Sequence, residues 1–505
     1  MTDAGVFDPL AWWGRHDPAR IAVQEWPTAS TYSYGTLDAA AEAWAASLRH
    51  DGVAAGDRVA ILARNSAAHL ALLAACARVG AILVPLNWRL AAPELARVLR
   101  DCTPRVLFTD GVTDVPEPAA PVVRDLADGF RAMCAAPDAR PSALRPRASV
   151  VRSAAPAMLL YTSGTTGAAK GVIVPHAQCH ANAAATGSAW GLHGAHTALV
   201  MSPFFHTAGW GVFALPLLRA GGRLVVLAAF DAPAAFAAMR EHAVTHVFGV
   251  PTQWQDLVAV PEWGAPLPRL QWLLTGGAPC PRRLHEQVVQ GGYAFREGFG
   301  LTECGPNCFT ITDERAARFP GAVGDLMPGI EGRLVDADGG LIDAPDAPGE
   351  LQLRGPQLFG GYWNNAAATA DAMTADGWLR TGDVLSWQPE AGWRVRGRTK
   401  EMYISGGENV FPGEVEAALL ETGEVAACCV VGVPDPRWGE VGAACVVPVD
   451  GRSLDVEHLR RRLRALLAAY KVPRDVVCVD ALPRLGSGKV DRAAVARRVA
   501  DAAPR

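Results

Sequence analysis

The sequence predicts an α/β protein in which parallel strands covered by helices precede an antiparallel sheet or small barrel and then a compact α+β unit. Three observations predict it. From Asp57 onward short β-branched runs alternate with alanine-rich stretches; after about residue 320 the strand-like runs shorten between Gly, Pro and Asp turns; and near Lys400 strands and an amphipathic helix are mixed.

The first rhythm is "DRVAIL", "SAAHLALLAACARVG" and "AILVPL", a strand, a helix and a strand. It returns at "GGRLVVL", "VTHVFGVP" and "LQWLLTGGA", each run ending in Gly or Pro. Ligands are expected at those ends, because open parallel sheets bind beyond the carboxyl ends of their strands. In the second region "GRLVD", "GELQLRG" and "GWRVRGR" read as strands of the antiparallel sheet. In the third, "EVAACCVVGVP" and "GAACVVPV" are strands and "VEHLRRRLRALLAAY" is a helix with a basic face. The stretch from Asp110 to Ser149, rich in Ala, Pro and Arg, reads as surface connection.

The chain's 505 residues exceed what one hydrophobic core usually organises, so at least two domains are expected. Half the residues are apolar and 19% are charged, which is a globular composition. Net charge is −4, with Lys and Arg scattered, so neither a nucleic-acid footprint nor a basic membrane patch is present. Small molecules are the expected partners, and a homodimer is left open. Ala67 to Leu86 is apolar but broken by Arg78, a core pattern and not a membrane span. "MTDAGVFDPL" has no signal-peptide character, so a cytoplasmic enzyme is expected. Eleven cysteines without a C-x-x-C pair read as small buried hydrophobes.

"YTSGTTGAAKG", Tyr161 to Gly171, gathers hydroxyls, glycines and a lysine. Inward-pointing N–H groups of such a turn, with Ser and Thr hydroxyls, can wrap a polyphosphate; an ordinary solvated loop is the plainer reading. It is no Walker A loop, since Gly171 stands where a magnesium-binding Ser or Thr is required.

The stretch resembles the phosphate loop of the adenylate-forming superfamily, usually written Y-T-S-G-T-T-G-x-P-K-G; Ala169 here replaces the proline. Further motifs follow in order: "PFFHTAG" (Pro203 to Gly209), "TGGAP" (Thr275 to Pro279), "GFGLTE" (Gly298 to Glu303), "LRTGD" (Leu379 to Asp383), "GRTKEMYISGGENVFPGEVE", and "PRLGSGKVDR" (Pro483 to Arg492). The resemblance implies a large amino-terminal domain, residues 1–399, of two stacked mixed parallel sheets with helices plus a small β-barrel. It also implies a mobile α+β domain over residues 400–505.

The resemblance assigns roles residue by residue. Thr162, Ser163, Gly164, Thr165, Thr166, Gly167 and Lys170 would hold the outer phosphates of ATP. Gly277, Ala278 and Pro279 would line adenine, with Phe299 stacking on it in place of a more usual tyrosine and Gly300 beside it. Thr302 would contact the α-phosphate and Glu303 would ligate Mg²⁺. Asp383 would accept the ribose hydroxyls, with Arg398 as a second contact. His206 would gate the acyl pocket or touch the substrate carboxylate, within walls from Trp210, Phe248, Gly249, Gly276, Gly277 and Gly298. Lys489, on "GSGK", would bring an ammonium to carboxylate and α-phosphate together. Lys400 matches the hinge, and Gly406 and Gly407 the loop forming the thiol tunnel after a domain swing. Taken singly, most have plainer readings: a turn Asp, a core histidine, a solvated lysine, a helix-start glutamate.

The implied reaction joins a fatty or aromatic acid to AMP, releases pyrophosphate, and passes the acyl group to coenzyme A. Three alternatives stay open: a loader of a carrier protein, an ATP-dependent diazotase that activates nitrite for an arylamine, and a nucleotide-binding regulator. An amino acid substrate is disfavoured, because His206 stands where amino-acid-activating relatives place an Asp, and no carrier segment follows Arg492.

Overall fold

The structure, a computed structural model, describes residues 7–28, 30–117, 120–135, 153–162, 169–406, 408–449, 454–485 and 489–502. Two mixed, largely parallel sheets carry the large amino-terminal part. The first runs Phe295–Glu297, Trp272–Thr275, His246–Gly249, Thr197–Val200, Arg223–Leu227, Ile21–Trp26 and Thr31–Ser33, antiparallel only at the last pair. The second runs Val122–Asp125, Val106–Thr109, Arg58–Leu62, Ile82–Pro85, Pro156–Thr162 and Lys170–Pro175, again antiparallel only at its last pair. Strands such as Ile82–Pro85, His246–Gly249 and Trp272–Thr275 are buried at every residue. That is why they read as continuous apolar runs and not as alternating ones.

Helices Tyr34–His50 and Ala67–Val79 pack together, and their side chains join the two sheets. One apolar cluster contains Val23 and Leu224 of the first sheet, Leu37, Trp44 and Leu70 of the helices, and Val59, Ile61 and Leu83 of the second. The alanines of "AAHLALLAACARV" keep that helix slim enough to be covered on several sides, which also explains its weak amphipathic pattern.

From Phe309 onward the chain forms a curled antiparallel sheet of six strands: Phe309–Thr310, Ala322–Leu326, Gly392–Arg398, Leu379–Gln388, Gly349–Arg354 and Glu331–Val335. A separate sheet begins at Tyr403. It consists of Glu408–Val410, Tyr403–Ser405, Gly439–Pro448 and Val425–Asp435, with Asp475–Cys478 added in parallel. Helices Pro412–Glu421, Val456–Leu466 and Arg492–Ala502 accompany it. Leu459 and Leu463 seat the Val456–Leu466 helix and leave most of its arginines outward.

One expectation is corrected. Within Asp110 to Ser149, Val122–Asp125 is an edge strand in parallel register with Val106–Thr109, followed by helix Leu126–Ala135. Phe130 lies 5.4 Å from Trp44 and 5.1 Å from Tyr32, and is buried with Leu126. The strand has two half-buried and two exposed residues and the helix rests on two anchors, so the Pro, Ala and Arg around them hid both. All eleven cysteines are free; most are buried or half-buried, and Cys478 is the exposed exception. Among the described residues no helix is long and apolar enough to cross a membrane.

Candidate active site

The strands that flank the glycine-rich loop form an antiparallel pair with Tyr161 opposite Gly171 and Thr162 opposite Lys170. A Cβ at Gly171 would lie 3.1 Å from the Tyr161 ring and 3.2 Å from Trp363 Cβ, so the position has no room for a side chain without local movement. Lys170 Nζ sits 5.0 Å from the centre of the Tyr362 ring. Ser163, Gly164, Thr165, Thr166 and Gly167 lie outside the described residues.

The strand Phe295–Glu297 leads through Gly298, Phe299 and Gly300 into a single tight turn, Thr302–Cys304. A Cβ on Gly300 would lie 2.1 Å from the Pro306 carbonyl oxygen; only glycine lets the chain double back there. The turn is held from three directions. Gln178 Nε2 donates to Thr302 O at 2.8 Å, Phe359 N–H donates to Glu303 O at 2.8 Å, and the Tyr362 hydroxyl donates to Glu303 Oε1 at 2.7 Å. Phe299 meets Phe309 edge to face, with ring centres 5.7 Å apart.

The residues expected to wall the acyl pocket lie where parallel strands end. Gly276 follows Trp272–Thr275, and a Cβ there would come within 2.8 Å of Gly298 O and 3.5 Å of Phe248. A Cβ on Gly249 would strike Met201 at 2.5 Å. These glycines therefore let three strand ends touch, with the Phe248 ring beside them. Gly277, in the left-handed region at φ +79°, turns the chain outward, leaving Ala278 and Pro279 exposed. Trp210 is 1% exposed, and its indole N–H donates to Phe204 O.

His206 precedes the short helix Thr207–Gly211, its ring 4.6 Å from that of Phe205. Burial first, then the nearby charges of Lys489 and Arg89, push its pKa down to about 4, so the imidazole is neutral at physiological pH. Trp88 and Arg89 were missed by sequence reasoning. The Trp88 ring stands nearly perpendicular to Phe205, and the Arg89 guanidinium lies 4.9 Å from Trp88 and 5.8 Å from Phe205. The available signal was their place just beyond the strand Ile82–Pro85, at the carboxyl end of a parallel strand.

Asp383 and Arg398 face one another in register on adjacent strands, and Arg398 Nε donates to Asp383 Oδ1 at 2.9 Å. Burial raises the Asp383 pKa; Arg398 opposes the shift, while Glu401 and Glu303 add to it. Lys489 is exposed as a residue, yet its ammonium is largely desolvated. Its pKa is lowered by that desolvation and then by Arg398, against the pull of Glu303, Asp383 and Glu401. The lysine of the carboxyl-terminal segment therefore lies in one electrostatic neighbourhood with His206, Glu303, Asp383 and Arg398. Arg492, just beyond it, lies 3.2 Å from Glu401 and donates to Glu416 Oε1 at 2.9 Å.

Lys400 is exposed in the turn between Arg398 and Tyr403. Gly406 is left-handed at φ +61°, and a Cβ there would meet the Trp438 ring at 2.7 Å. Gly407 lies outside the described residues. Among the described residues no three His, Cys, Asp or Glu side chains form a metal cage. A lone carboxylate such as Glu303 suits Mg²⁺, which keeps several waters and takes its remaining ligands from substrate phosphates.

Comparison with known proteins agrees with this geometry. The chain is 40% identical to a feruloyl-CoA synthase of Amycolatopsis sp over 485 residues, covering 96% of this chain and 97% of the relative. It is 38% identical to an indoleacetate–CoA ligase of Aromatoleum aromaticum, covering 97% and 98%. Its fold matches o-succinylbenzoate CoA synthetase from Bacillus subtilis, solved with the acyl-adenylate intermediate, at a TM-score of 0.86 and 26% identity, over 98% of both chains. The family model of the AMP-binding enzymes matches residues 10–363, and that of the AMP-binding enzyme C-terminal domain matches 414–489, up to Lys489 itself. Since the first model alone takes in well over half of the sequence, this chain belongs to the AMP-binding enzyme family.

Proposed function

We propose that the chain is an ATP-dependent acid–CoA ligase acting on an aromatic carboxylic acid. The observation that carries this reading is that the Lys489 ammonium lies within electrostatic reach of Glu303, Asp383, Arg398 and His206. A cation there can neutralise the substrate carboxylate and the α-phosphate at once, which is what bringing two anions together requires. In the first half-reaction a carboxylate oxygen attacks the α-phosphorus and the bond to the β-phosphate oxygen breaks. The products are acyl-AMP and pyrophosphate. In the second, the thiol sulfur of coenzyme A attacks the acyl carbon, AMP leaves and the thiol proton is released.

Thr162 and Lys170, with Ser163, Gly164, Thr165, Thr166 and Gly167, hold the outer phosphates. Asp383 accepts from the ribose hydroxyls, with Arg398 keeping it ionised and oriented. Gly277, Ala278, Pro279 and Phe299 flank the adenine. Glu303 would hold Mg²⁺, which would supply charge neutralisation for pyrophosphate. The neutral His206 stands at the entrance of the acyl slot, whose walls are Phe248, Gly249, Gly276 and Gly298, with Phe205 and Trp88 adjoining. Planar glycine walls beside aromatic rings suit a flat ring, and two of the similar proteins are named for aromatic acids.

Coenzyme A is the acceptor because those same relatives are CoA ligases. Residues 400–505 act as a mobile unit that withdraws Lys489 after adenylation and brings the Gly406–Gly407 loop to the cleft, with Lys400 near the pivot. A cytoplasmic setting supplies both ATP and coenzyme A.

A pyrophosphate-release screen with aryl, short, medium and long acids and with nitrite, each with and without coenzyme A, tests the reading. Aryl acids are expected to give the highest kcat/KM, with AMP and an aryl-CoA thioester formed together. Adenylate that accumulates despite free coenzyme A would point to a carrier-protein acceptor. Turnover with nitrite and an arylamine alone, or no ATP cleavage with any acid, would overturn it.

A further inference from the structure

We propose that Tyr362 is a positioning residue that couples the two ends of the polyphosphate site, holding Glu303 through its hydroxyl and Lys170 through its ring. The inference rests on the ATP-dependent reading above. The hydroxyl donates to Glu303 Oε1 at 2.7 Å, and Lys170 Nζ lies 5.0 Å from the ring centre. One side chain therefore touches the carboxylate suited to the metal and the ammonium suited to the outer phosphates. These groups come from distant parts of the sequence.

The backbone around Tyr362 is built to fix it. Ile173 N–H donates to Gly361 O at 2.9 Å, Gly360 N–H to Ile173 O at 2.8 Å, and Trp363 N–H to Gly171 O at 2.7 Å. The segment is thereby laced to the strand Lys170–Pro175, with Tyr362 bridging Val172. Two glycines permit this approach. A Cβ on Gly360 would meet Ile173 at 2.9 Å, and Gly361, at φ +105°, would meet Thr369 at 2.9 Å. Tyr362 N–H is itself bound by Thr369 Oγ1 at 2.8 Å, and Phe359 N–H clamps Glu303 O. The same short segment grips the lysine strand on one side and the glutamate turn on the other.

Two consequences differ in chemistry. Bound at Oε1, Glu303 has its carboxylate orientation fixed, so the phenol acts as an outer partner of a metal ligand; loss of such partners typically costs 10- to 100-fold in metal affinity or activity. An ammonium resting on an aromatic face is held where it can meet phosphate, and that contact is weaker, worth about two- to fivefold.

The test compares Tyr362→Phe, which keeps the ring and loses the hydroxyl, with Tyr362→Leu, which loses both. Calorimetry measures ATP binding with and without Mg²⁺, and kinetics separate adenylation from thioester formation on preformed aryl-AMP. Tyr362→Phe is expected to weaken Mg²⁺-dependent ATP binding and raise the half-saturating Mg²⁺ concentration about tenfold, with metal-free ATP binding unchanged. Tyr362→Leu is expected to weaken metal-free binding as well, about two- to fivefold. Both should leave thioester formation within about twofold of the parent. Parent-like Mg²⁺ dependence in Tyr362→Phe, or equal losses in both half-reactions with a lowered melting temperature, would overturn the proposal. Failure of the parent protein to bind ATP would instead strike the ligase reading.

Discussion

Arg398 reaches across one strand spacing to hold Asp383, Nε to Oδ1 at 2.9 Å, in a pair whose carboxylate is 5% exposed while the arginine side chain is about half exposed. The asymmetry assigns different work to the partners. Asp383 is the buried acceptor whose acidity burial weakens, and Arg398 is the accessible cation that keeps it charged. Asp383→Ala is expected to raise the KM for ATP about 10- to 100-fold, the usual scale for hydrogen bonds to a charged group, with the KM for the acid little changed. Arg398→Ala should follow in the same direction with a smaller effect, partly restored in Arg398→Lys. Steady-state pyrophosphate release at varied ATP checks both, and an unchanged ATP KM in Asp383→Ala would remove the ribose role.

In the proposed reaction Lys489 serves the adenylation step alone. Lys489→Ala is expected to slow adenylation by several orders of magnitude and to leave thioester formation from preformed aryl-AMP near the parental rate. The lowered Lys489 pKa adds a sign. The ammonium is the active form, so adenylation should fall as pH rises through a value below that of a free lysine. Lys489→Arg, which stays protonated, should lack that alkaline limb whatever its absolute rate. A pH profile of pyrophosphate release measures it; an alkaline limb shared by parent and Lys489→Arg would assign the titration elsewhere.

Buried histidines set the acid stability of the large part. His246 is fully buried, with Nδ1 2.8 Å from Thr245 Oγ1 and its ring packed against Trp272, His196 and Phe213. Burial is the leading cause that lowers its pKa to about 3, with His196 and Arg296 acting in the same direction. His69 and His176 are buried and shifted likewise, to about 3 and about 4. Since these native values lie below the unfolded one, the unfolded chain binds more protons. Their stability is complete above pH about 6.5 and is lost as pH falls from there toward the native values. Between pH 7 and pH 5 each such histidine is worth about 2 kcal/mol. His246→Phe is therefore expected to lose less stability than the parent over that interval. Urea midpoints at the two pH values decide it, and parallel losses in the two proteins would count against the assignment.

The sequence alone determined which chemistry the chain carries and roughly where its strands and helices lie. Gly, Ser and Thr spacing and continuous apolar runs are written in consecutive residues, so "YTSGTTGAAKG", "GFGLTE" and "AILVPL" are legible without knowing their neighbours in space. The edge strand Val122–Asp125 and helix Leu126–Ala135 did not, because Phe130 becomes an anchor only when Trp44 and Tyr32 arrive to cover it. The same holds for the site. Trp88, Arg89 and Tyr362 gain a role only from their neighbours. Tertiary structure alone decided that Tyr362 meets both Lys170 and Glu303 and that Lys489 comes within electrostatic reach of Glu303, Asp383 and Arg398. Sheet order and the stacking of layers choose such pairings, and neither leaves a periodic trace in the residues they bring together.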